Sequence, residues 1–146
     1  MSAEDNTVIA RRYWDEVWRT GNVAIVDEIF APDNSFHAPS MTTALRGTEI
    51  QKQGYTRWRT AFPDFRATIE DIFAEGDKVV VRWTLHGTHR GNIEIASIGT
   101  IPTTGKHVSI AGMDIFHFMG GKIVEFWRYW SELQLLQQLG AVPTAG

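Results

Sequence analysis

A histidine and a serine in the last third of the sequence are the first candidates for acid and base chemistry. His117 belongs to a predicted strand from Lys106 to Phe118 and shares a side with Met113 and Ile115. An imidazole exchanges protons near neutral pH, although a lone histidine on an apolar strand face is more often a hydrogen-bonded core group. Ser131 needs an activating base before it can act as a nucleophile. His117 is therefore the first catalytic candidate, and Ser131 is its candidate partner.

The residues around Ser131 leave three roles open for it. It could be a nucleophile activated by His117, a hydrogen-bond donor to a ligand carbonyl, or a small residue that enlarges a pocket. No Gly-x-Ser-x-Gly turn surrounds it, so the nucleophile is the least favoured role. Glu132 follows directly, but strand alternation turns it to the other side unless the chain bends there. Glu132 is therefore interpreted as either a displaced acid or a solvated tail residue.

Two aspartates receive structural interpretations. Asp64 lies in a Phe-Pro-Asp-Phe sequence, where Pro-Asp is typical of a turn between a helix and a strand. Asp114 lies on the opposite side of its strand from His117. We expect Asp114 to face a subunit interface, opposite Arg82 or Arg128.

The sequence predicts neither a metal site nor a cofactor site. No cysteine occurs, and no two histidines show the His-x-x-x-His or His-x-His spacing of a preformed metal site. Glycine-rich phosphate loops are also missing. His89 lies between Gly87 and Gly91 and is expected to support a turn, while His86 and His107 are interpreted as ordinary sheet or loop residues.

The aromatic residues suggest a pocket for a small hydrophobic molecule with a flat ring. Core packing explains most of them, but a lining of Trp58, Trp83, Trp127 and Tyr129 would suit such a ligand. Alternation along the last strand separates Glu125, Trp127, Tyr129 and Ser131 from Phe126, Arg128 and Trp130. We expect the first set to face the pocket. The second set would then expose a large apolar patch, which predicts a homodimer formed through Phe126 and Trp130.

The order of the elements predicts an α+β fold in one domain covering residues 1–146. Helical periodicity runs from Asp5 to Thr20, from Val23 to Phe30 and from Gly47 to Phe62. Strand-like segments follow Phe65, with a looser segment before Gly105 and a final hairpin from Lys106 to Trp130. Helices followed by an antiparallel meander favour this class over a parallel doubly wound sheet.

Composition excludes several function classes. The net charge is -3 and no basic block occurs, so nucleic acid is not an expected partner. No apolar run approaches the roughly 18 residues that a membrane span needs, and the N-terminus lacks the pattern of a signal peptide. We therefore expect a soluble cytoplasmic protein.

Four segments resemble the SnoaL-like polyketide cyclases and together span nearly the whole chain. They are Trp18–Pro32, Ala61–Phe65, Gly87–Gly91 with Ile101–Lys106, and the C-terminal stretch Gly121–Gly140. In the last of these the family carries a glutamate, an aromatic two residues later and a catalytic aspartate six residues later. This sequence matches with Glu125 and Trp127 but has Ser131 at the aspartate position.

The resemblance implies a curved antiparallel sheet wrapped against three helices to form a cone with an internal pocket. It implies a histidine at the position of His117 near the catalytic acid, and it places His37 near the pocket mouth. The activity implied is a cofactor-independent aldol cyclisation or isomerisation of a polyketide-type carbonyl compound. Because Ser131 replaces the acid, epoxide hydrolysis, hydroxylation and a non-catalytic ligand-binding dimer remain as alternatives.

Overall fold

The computed structural model describes residues 2–39, 41–95 and 97–144. These residues form four α-helices, α1 (Ala3–Arg12), α2 (Ile25–Ile29), α3 (Thr48–Ala61) and α4 (Glu132–Gln138), and a π-helical segment (Tyr13–Trp18) that continues α1. The strands are β1 (Phe30–His37), β2 (Leu45–Arg46), β3 (Arg66–Glu75), β4 (Lys78–Thr88), β5 (Ile93–Ile95), β6 (Gly99–Ile101), β7 (His107–Met119) and β8 (Lys122–Trp130). A curved sheet packed against helices confirms the predicted α+β class. No helix in the described ranges is long and apolar enough to cross a membrane.

Six of the strands form the main sheet, in the order β2-β1-β8-β7-β4-β3. The antiparallel prediction holds for every neighbouring pair except β1 and β8, which run parallel with Phe36 opposite Phe126 and His37 opposite Trp127. The segment predicted to be irregular contains a separate hairpin of β5 and β6. The parallel pair brings the first and last long strands together at the centre of the fold.

The inner face of the main sheet packs against the helices and forms the core. On β7 the buried side chains alternate through Val108, Ile110, Asp114, Phe116 and Phe118. Gly112 belongs to the same face, and a Cβ there would lie 2.3 Å from Cζ2 of Trp83. Glycine at this position therefore lets the Trp83 indole of β4 pack directly against the backbone of β7.

The two faces of the last strands are the reverse of those expected from the sequence. Phe126 is only 1% exposed and belongs to the core, so it cannot pair two copies through an exposed patch. His117, Trp127 and Tyr129 instead lie on the outer face of the sheet, where Tyr129 is 52% exposed. Alternation along β8 separates the two sets, but both contain large aromatic residues. It therefore could not show which set the helices cover.

Ser131 ends the last strand and caps the helix that follows it. Its Oγ accepts a hydrogen bond of 3.1 Å from the backbone N–H of Gln134, at the first turn of α4. The expectation that Ser131 continues the strand was therefore wrong. The missed signal is the spacing Ser131-x-x-Gln134, which is typical of a helix N-terminus.

The first helix also begins earlier than predicted and changes its pitch midway. Ser2 caps α1 by accepting from the backbone of Asp5, whose carboxylate accepts from the Ser2 backbone in return. The π-helical segment after Arg12 adds a residue to the turn, a rare arrangement that is frequent at functional sites. It brings the buried Tyr13, Trp14 and Trp18 against the inner face of the sheet.

Candidate functional site: a two-chambered cavity beside a buried ion pair

Two neighbouring cavities lie between the inner face of the sheet and the helices. The mouth chamber has a volume of about 130 Å³ and the deep chamber about 20 Å³. Phe36 and Arg128 line both chambers. The remaining walls of the mouth chamber are Ala38, Met41, Arg57, Trp58, Ile93, Glu94, Ile95, Trp130 and Glu132. Those of the deep chamber are Tyr13, Ile50, Gln51 and Phe126.

An ion pair of Arg128 and Asp114 lies beside these chambers. Arg128 donates from Nε to Oδ1 of Asp114 at 2.9 Å and from Nη2 to Oδ2 at 3.0 Å. Asp114 is fully buried, whereas 13% of the Arg128 side chain stays accessible. Burial works against the charge of Arg128, but Asp114 and Tyr13 outweigh it and raise the pKa of the guanidinium above its ordinary value. Arg128 is therefore a fixed cation that borders the cavity.

Aromatic rings surround the guanidinium and restrict its movement. The Cζ of Arg128 lies 4.9 Å from the ring centre of Phe126 and 5.3 Å from those of Trp14 and Trp18. Trp83 donates from Nε1 to Oδ1 of Asp114 at 3.0 Å, which fixes the carboxylate as well. Desolvated contacts of a cation with aromatic faces are worth about 2 kcal/mol or more in favourable cases. The site thus holds its charged group rigidly before any ligand binds.

The donors around the ion pair outnumber the acceptors. Both Asp114 oxygens accept from Arg128 or Trp83, and Arg128 also interacts with the Tyr13 hydroxyl. The buried indole nitrogens of Trp14 and Trp18 lack partners within the described ranges. Trp14 and Trp18 do not line the chambers, so the accessible edge of Arg128 is the donor of this cluster that a ligand oxygen in the cavity can reach.

Charged side chains of both signs lie in the wall of the mouth chamber. Arg57 and Glu94 are exposed, and Glu132 is half-buried at the start of α4. Ser97 donates a hydrogen bond from Oγ to Oε1 of Glu132 and so ties the β5–β6 hairpin to α4. Because the strand ends before Ser131 and α4 begins at Glu132, Glu132 lines the chamber.

The structure brings together only part of the set of residues predicted from the sequence. Trp58 lines the mouth chamber as expected, while Trp83 is buried in the core and supports Asp114. Ser131 is a helix cap, as described above. On the outer face, Nε2 of His117 lies 2.9 Å from Oδ2 of Asp77, in the turn between β3 and β4. The hydrogen bond of His117 lowers the pKa of Asp77.

His37, Trp127 and Tyr129 also lie away from the chambers. The His37 ring stacks on Trp127, with centres 5.3 Å apart, and its Nε2 lies 2.7 Å from Oε2 of Glu125. This contact follows from the parallel register, in which His37 faces Trp127 across the two strands. These residues form a polar and aromatic surface on the outer face and do not line the cavity.

The remaining titratable candidates have structural contacts. Asp64 accepts a hydrogen bond from the backbone of Thr88 at 2.7 Å, which lowers its pKa and confirms its role at the turn. His89 is fully buried, packs against Phe62 with the two rings tilted, and accepts at Nδ1 from the backbone N–H of Thr104. Burial lowers the pKa of His89.

Asp114 and Arg128 were seen in the sequence but were assigned to an interface. The opposite-face relation to His117 was correct, and the interface location was wrong. Of the two arginines left open as partners, Arg128 pairs with Asp114, while Arg82 pairs with Asp71. The informative signal was that Asp114 shares its side of β7 with Val108, Ile110 and Phe116, because a charge on an apolar side must be paired. Tyr13, Gln51 and Glu94 carried no comparable signal.

The described residues contain no group of three histidine, aspartate or glutamate side chains arranged to hold a metal ion. The polar groups of the cavity are two arginines, two glutamates, an amide and a phenol. Such a set suits hydrogen bonding and proton transfer with an organic ligand.

An α+β fold with a cavity between a curved sheet and helices defines the general class of this protein. The SnoaL-like polyketide cyclase family model matches residues 8–139, and the chain belongs to this family. No curated protein sequence matches the chain significantly.

Solved structures agree with the family assignment. A SnoaL-like protein from Jannaschia sp. CCS1 is similar at 24% identity over 97% of this chain and 95% of its own, with a TM-score of 0.84. AclR from Streptomyces galilaeus, named as a hydroxylase, has 24% identity over 99% and 87% of the two chains, with a TM-score of 0.81. An epoxide hydrolase from M. tuberculosis has 14% identity over 95% and 92%, with a TM-score of 0.68. At these identities the likenesses establish the fold.

Proposed function

We propose that this protein is a cofactor-independent enzyme that binds a small ring-bearing carbonyl compound and transfers a proton beside the carbonyl group. Aldol cyclisation and isomerisation both contain this step. The observation that carries the proposal is the accessible edge of Arg128, which Asp114 and the aromatic rings hold in place at the cavity wall. Such a donor stabilises the negative charge that develops on a carbonyl oxygen when a neighbouring proton is removed.

The mouth chamber supports a ligand with one flat ring inside it. An apolar cavity of about 150 Å³ accommodates benzene, so a chamber of about 130 Å³ is of the size of a single ring. Trp58 and Trp130 meet edge to face in its wall, with centres 5.5 Å apart. A larger polycyclic compound would therefore place one ring in the chamber and the remainder at the rim.

Glu132 is the proposed general base. It lines the same chamber as Arg128, and its neighbour Ser131 directs it there by ending β8. In this mechanism the Glu132 carboxylate takes the proton from the carbon beside the carbonyl, and Arg128 donates a hydrogen bond to the enolate oxygen. Asp114 does not contact the ligand, because it is fully buried and its role is to position Arg128.

The proposal is tested by hydrogen–deuterium exchange into 2-tetralone, a ring ketone with acidic neighbouring protons. We expect the wild-type protein to accelerate exchange over buffer, and Glu132→Gln to lower the acceleration roughly 10²–10⁴-fold. Arg128→Lys should lower it about 10²-fold, because it keeps the charge but loses the fixed fork of donors. Glu75→Gln, on an exposed residue at the end of β3, is the matched control and should leave exchange unchanged.

Two alternative functions, epoxide hydrolysis and ligand binding without catalysis, predict different results with suitable ligands. Glu94 and Glu132 in one wall favour water activation as a second chemistry, which hydrolysis of styrene oxide would detect. If 2-tetralone binds in the cavity and exchanges no faster than in buffer, proton transfer is the wrong function. A non-catalytic ligand-binding module is then the better description.

A further inference from the structure

The deep chamber has room for one small group, and three of its six lining residues carry polar side chains. A volume of about 20 Å³ holds one water-sized group, since a single water needs roughly 10–15 Å³ measured in this way. Tyr13, Gln51 and Arg128 line the chamber, together with the apolar residues Phe36, Ile50 and Phe126.

The polar groups of this chamber offer both donors and acceptors. Gln51 and Asn34 form a reciprocal buried pair, with Nε2 of Gln51 donating at 3.0 Å and Oε1 accepting at 3.2 Å. Each amide atom of Gln51 has a second hydrogen-bonding capacity that this pair leaves unused. The Tyr13 hydroxyl can donate and accept, and Arg128 can only donate. Together they match a group that itself both donates and accepts.

We propose that the deep chamber is a subsite for one hydroxyl oxygen, held by Tyr13, Gln51 and Arg128. Water occupies the subsite in the free protein, and a hydroxyl group on the ring of the ligand replaces it in the complex. This inference rests on the proposed function for the ring in the mouth chamber, and it narrows the ligand to phenol-type compounds. A ring that carries a methyl group or fluorine instead leaves the three polar groups without good partners, which is costly for buried groups.

Crystal structures of the free protein and of its phenol complex test whether water occupies the subsite and a ligand hydroxyl replaces it. We expect one ordered water within hydrogen-bond distance of Tyr13, Gln51 and Arg128. A crystal of the phenol complex should show the phenol hydroxyl in place of that water. An empty deep chamber in the free protein overturns the proposal, and so does a phenol complex in which the water remains.

Binding of phenol and fluorobenzene, measured by protein-observed NMR titration, tests whether the subsite prefers a hydroxyl group to fluorine. The informative quantity is the dissociation constant of fluorobenzene divided by that of phenol. Tyr13→Phe should lower this ratio about fivefold, the effect of losing one ordinary hydrogen bond. Ile50→Met, which extends a side chain into the chamber, should lower it as well. Tyr55→Phe is the control, because the Tyr55 hydroxyl contacts Arg59 outside the chamber.

The tests of the subsite can fail or succeed independently of the proton-exchange test of the proposed function. An unchanged ratio in both Tyr13→Phe and Ile50→Met, or no binding of phenol by the wild type, overturns the subsite. Neither readout depends on turnover. A protein that binds phenol as expected but fails to exchange protons in 2-tetralone would keep the subsite and lose the proposed reaction.

Discussion

Arg128 and Asp114 face each other across β8 and β7, directly in register, and two hydrogen bonds join them. Their side chains meet on the inner face, where the carboxylate is fully buried. A pair in such a place is costly to break, because either charge alone would remain without compensation.

Asp114→Ala should therefore destabilise the protein by about 3–5 kcal/mol, measured by urea unfolding. The double variant Asp114→Asn with Arg128→Met should recover a large part of this loss, since it removes both charges and keeps an acceptor for Trp83. A double variant that is no more stable than Asp114→Ala would contradict this account of the pair.

The outer face of the sheet is the surface through which we expect two copies to associate. Phe73, Met113 and Tyr129 are 58%, 43% and 52% exposed and lie on β3, β7 and β8 of this face. Met113→Glu should shift the protein from dimer to monomer in sedimentation velocity while its circular dichroism stays unchanged. Leu133→Glu, at an exposed position on α4, is the control. Wild-type protein that is monomeric at micromolar concentration would end the homodimer proposal.

Acidification should weaken the fold through His89. Burial lowers the pKa of His89 below its ordinary value of 6.5, so the neutral form is favoured in the folded state. The stabilisation is complete above the unfolded pKa and is lost as the pH falls from about 6.5 towards the folded pKa, because the unfolded chain binds the proton first.

Urea unfolding between pH 7.5 and 5 checks this dependence. His89→Asn keeps an acceptor near the Thr104 backbone without the titration, so its stability should fall less over this range than that of the wild type. His86→Ala, at an exposed position, should behave as the wild type does. Identical pH dependence in the wild type and His89→Asn would assign the effect to other groups.

His117→Ala is expected to retain full proton-exchange activity. The side chain lies on the outer face and binds Asp77, away from both chambers. The pair is largely solvated on the Asp77 side, so its loss should have little effect on stability. A drop of about 10²-fold in exchange with the fold intact would restore the catalytic role that the sequence suggested for His117.

Ser131→Ala should cost about 1 kcal/mol by removing the cap of α4. Ser131→Asp should be nearly as stable as the wild type, because aspartate caps helices as well as serine does. Urea unfolding of the wild type and the two variants measures their free energies of unfolding and tests this order of stability. Equal stability of Ser131→Ala and the wild type would show that the hydrogen bond to Gln134 contributes little.

Local sequence patterns predicted most helices and strands of this fold, but they did not determine which face of the sheet the helices cover. The helix predicted from Gly47 to Phe62 is α3, and β7 and β8 form the predicted final hairpin from Lys106 to Trp130. Alternation also separated the two sides of β8 correctly. Which side meets the helices depends on contacts with α1 and its π-helical segment, and no local period contains that information.

The candidate site escaped prediction for the same reason. Its polar residues come from five places in the chain, with Tyr13 on the π-helical segment, Gln51 on α3, Glu94 on β5, Arg128 on β8 and Glu132 on α4. Each is unremarkable in its own segment. Their common location follows only from the packing of the whole chain.

The parallel pairing of β1 with β8 also sets the order in which the protein can acquire its cavity. His37 and Glu125, which meet across these strands, are 88 positions apart in the chain. Closing so long a loop is entropically unfavourable and slows folding relative to local hairpins such as β3–β4. Phe36 and Arg128 border both chambers from these two strands, so their shared wall is completed only when the distant strands join. During refolding, the ability to bind a ligand should therefore arise after the hairpins have formed.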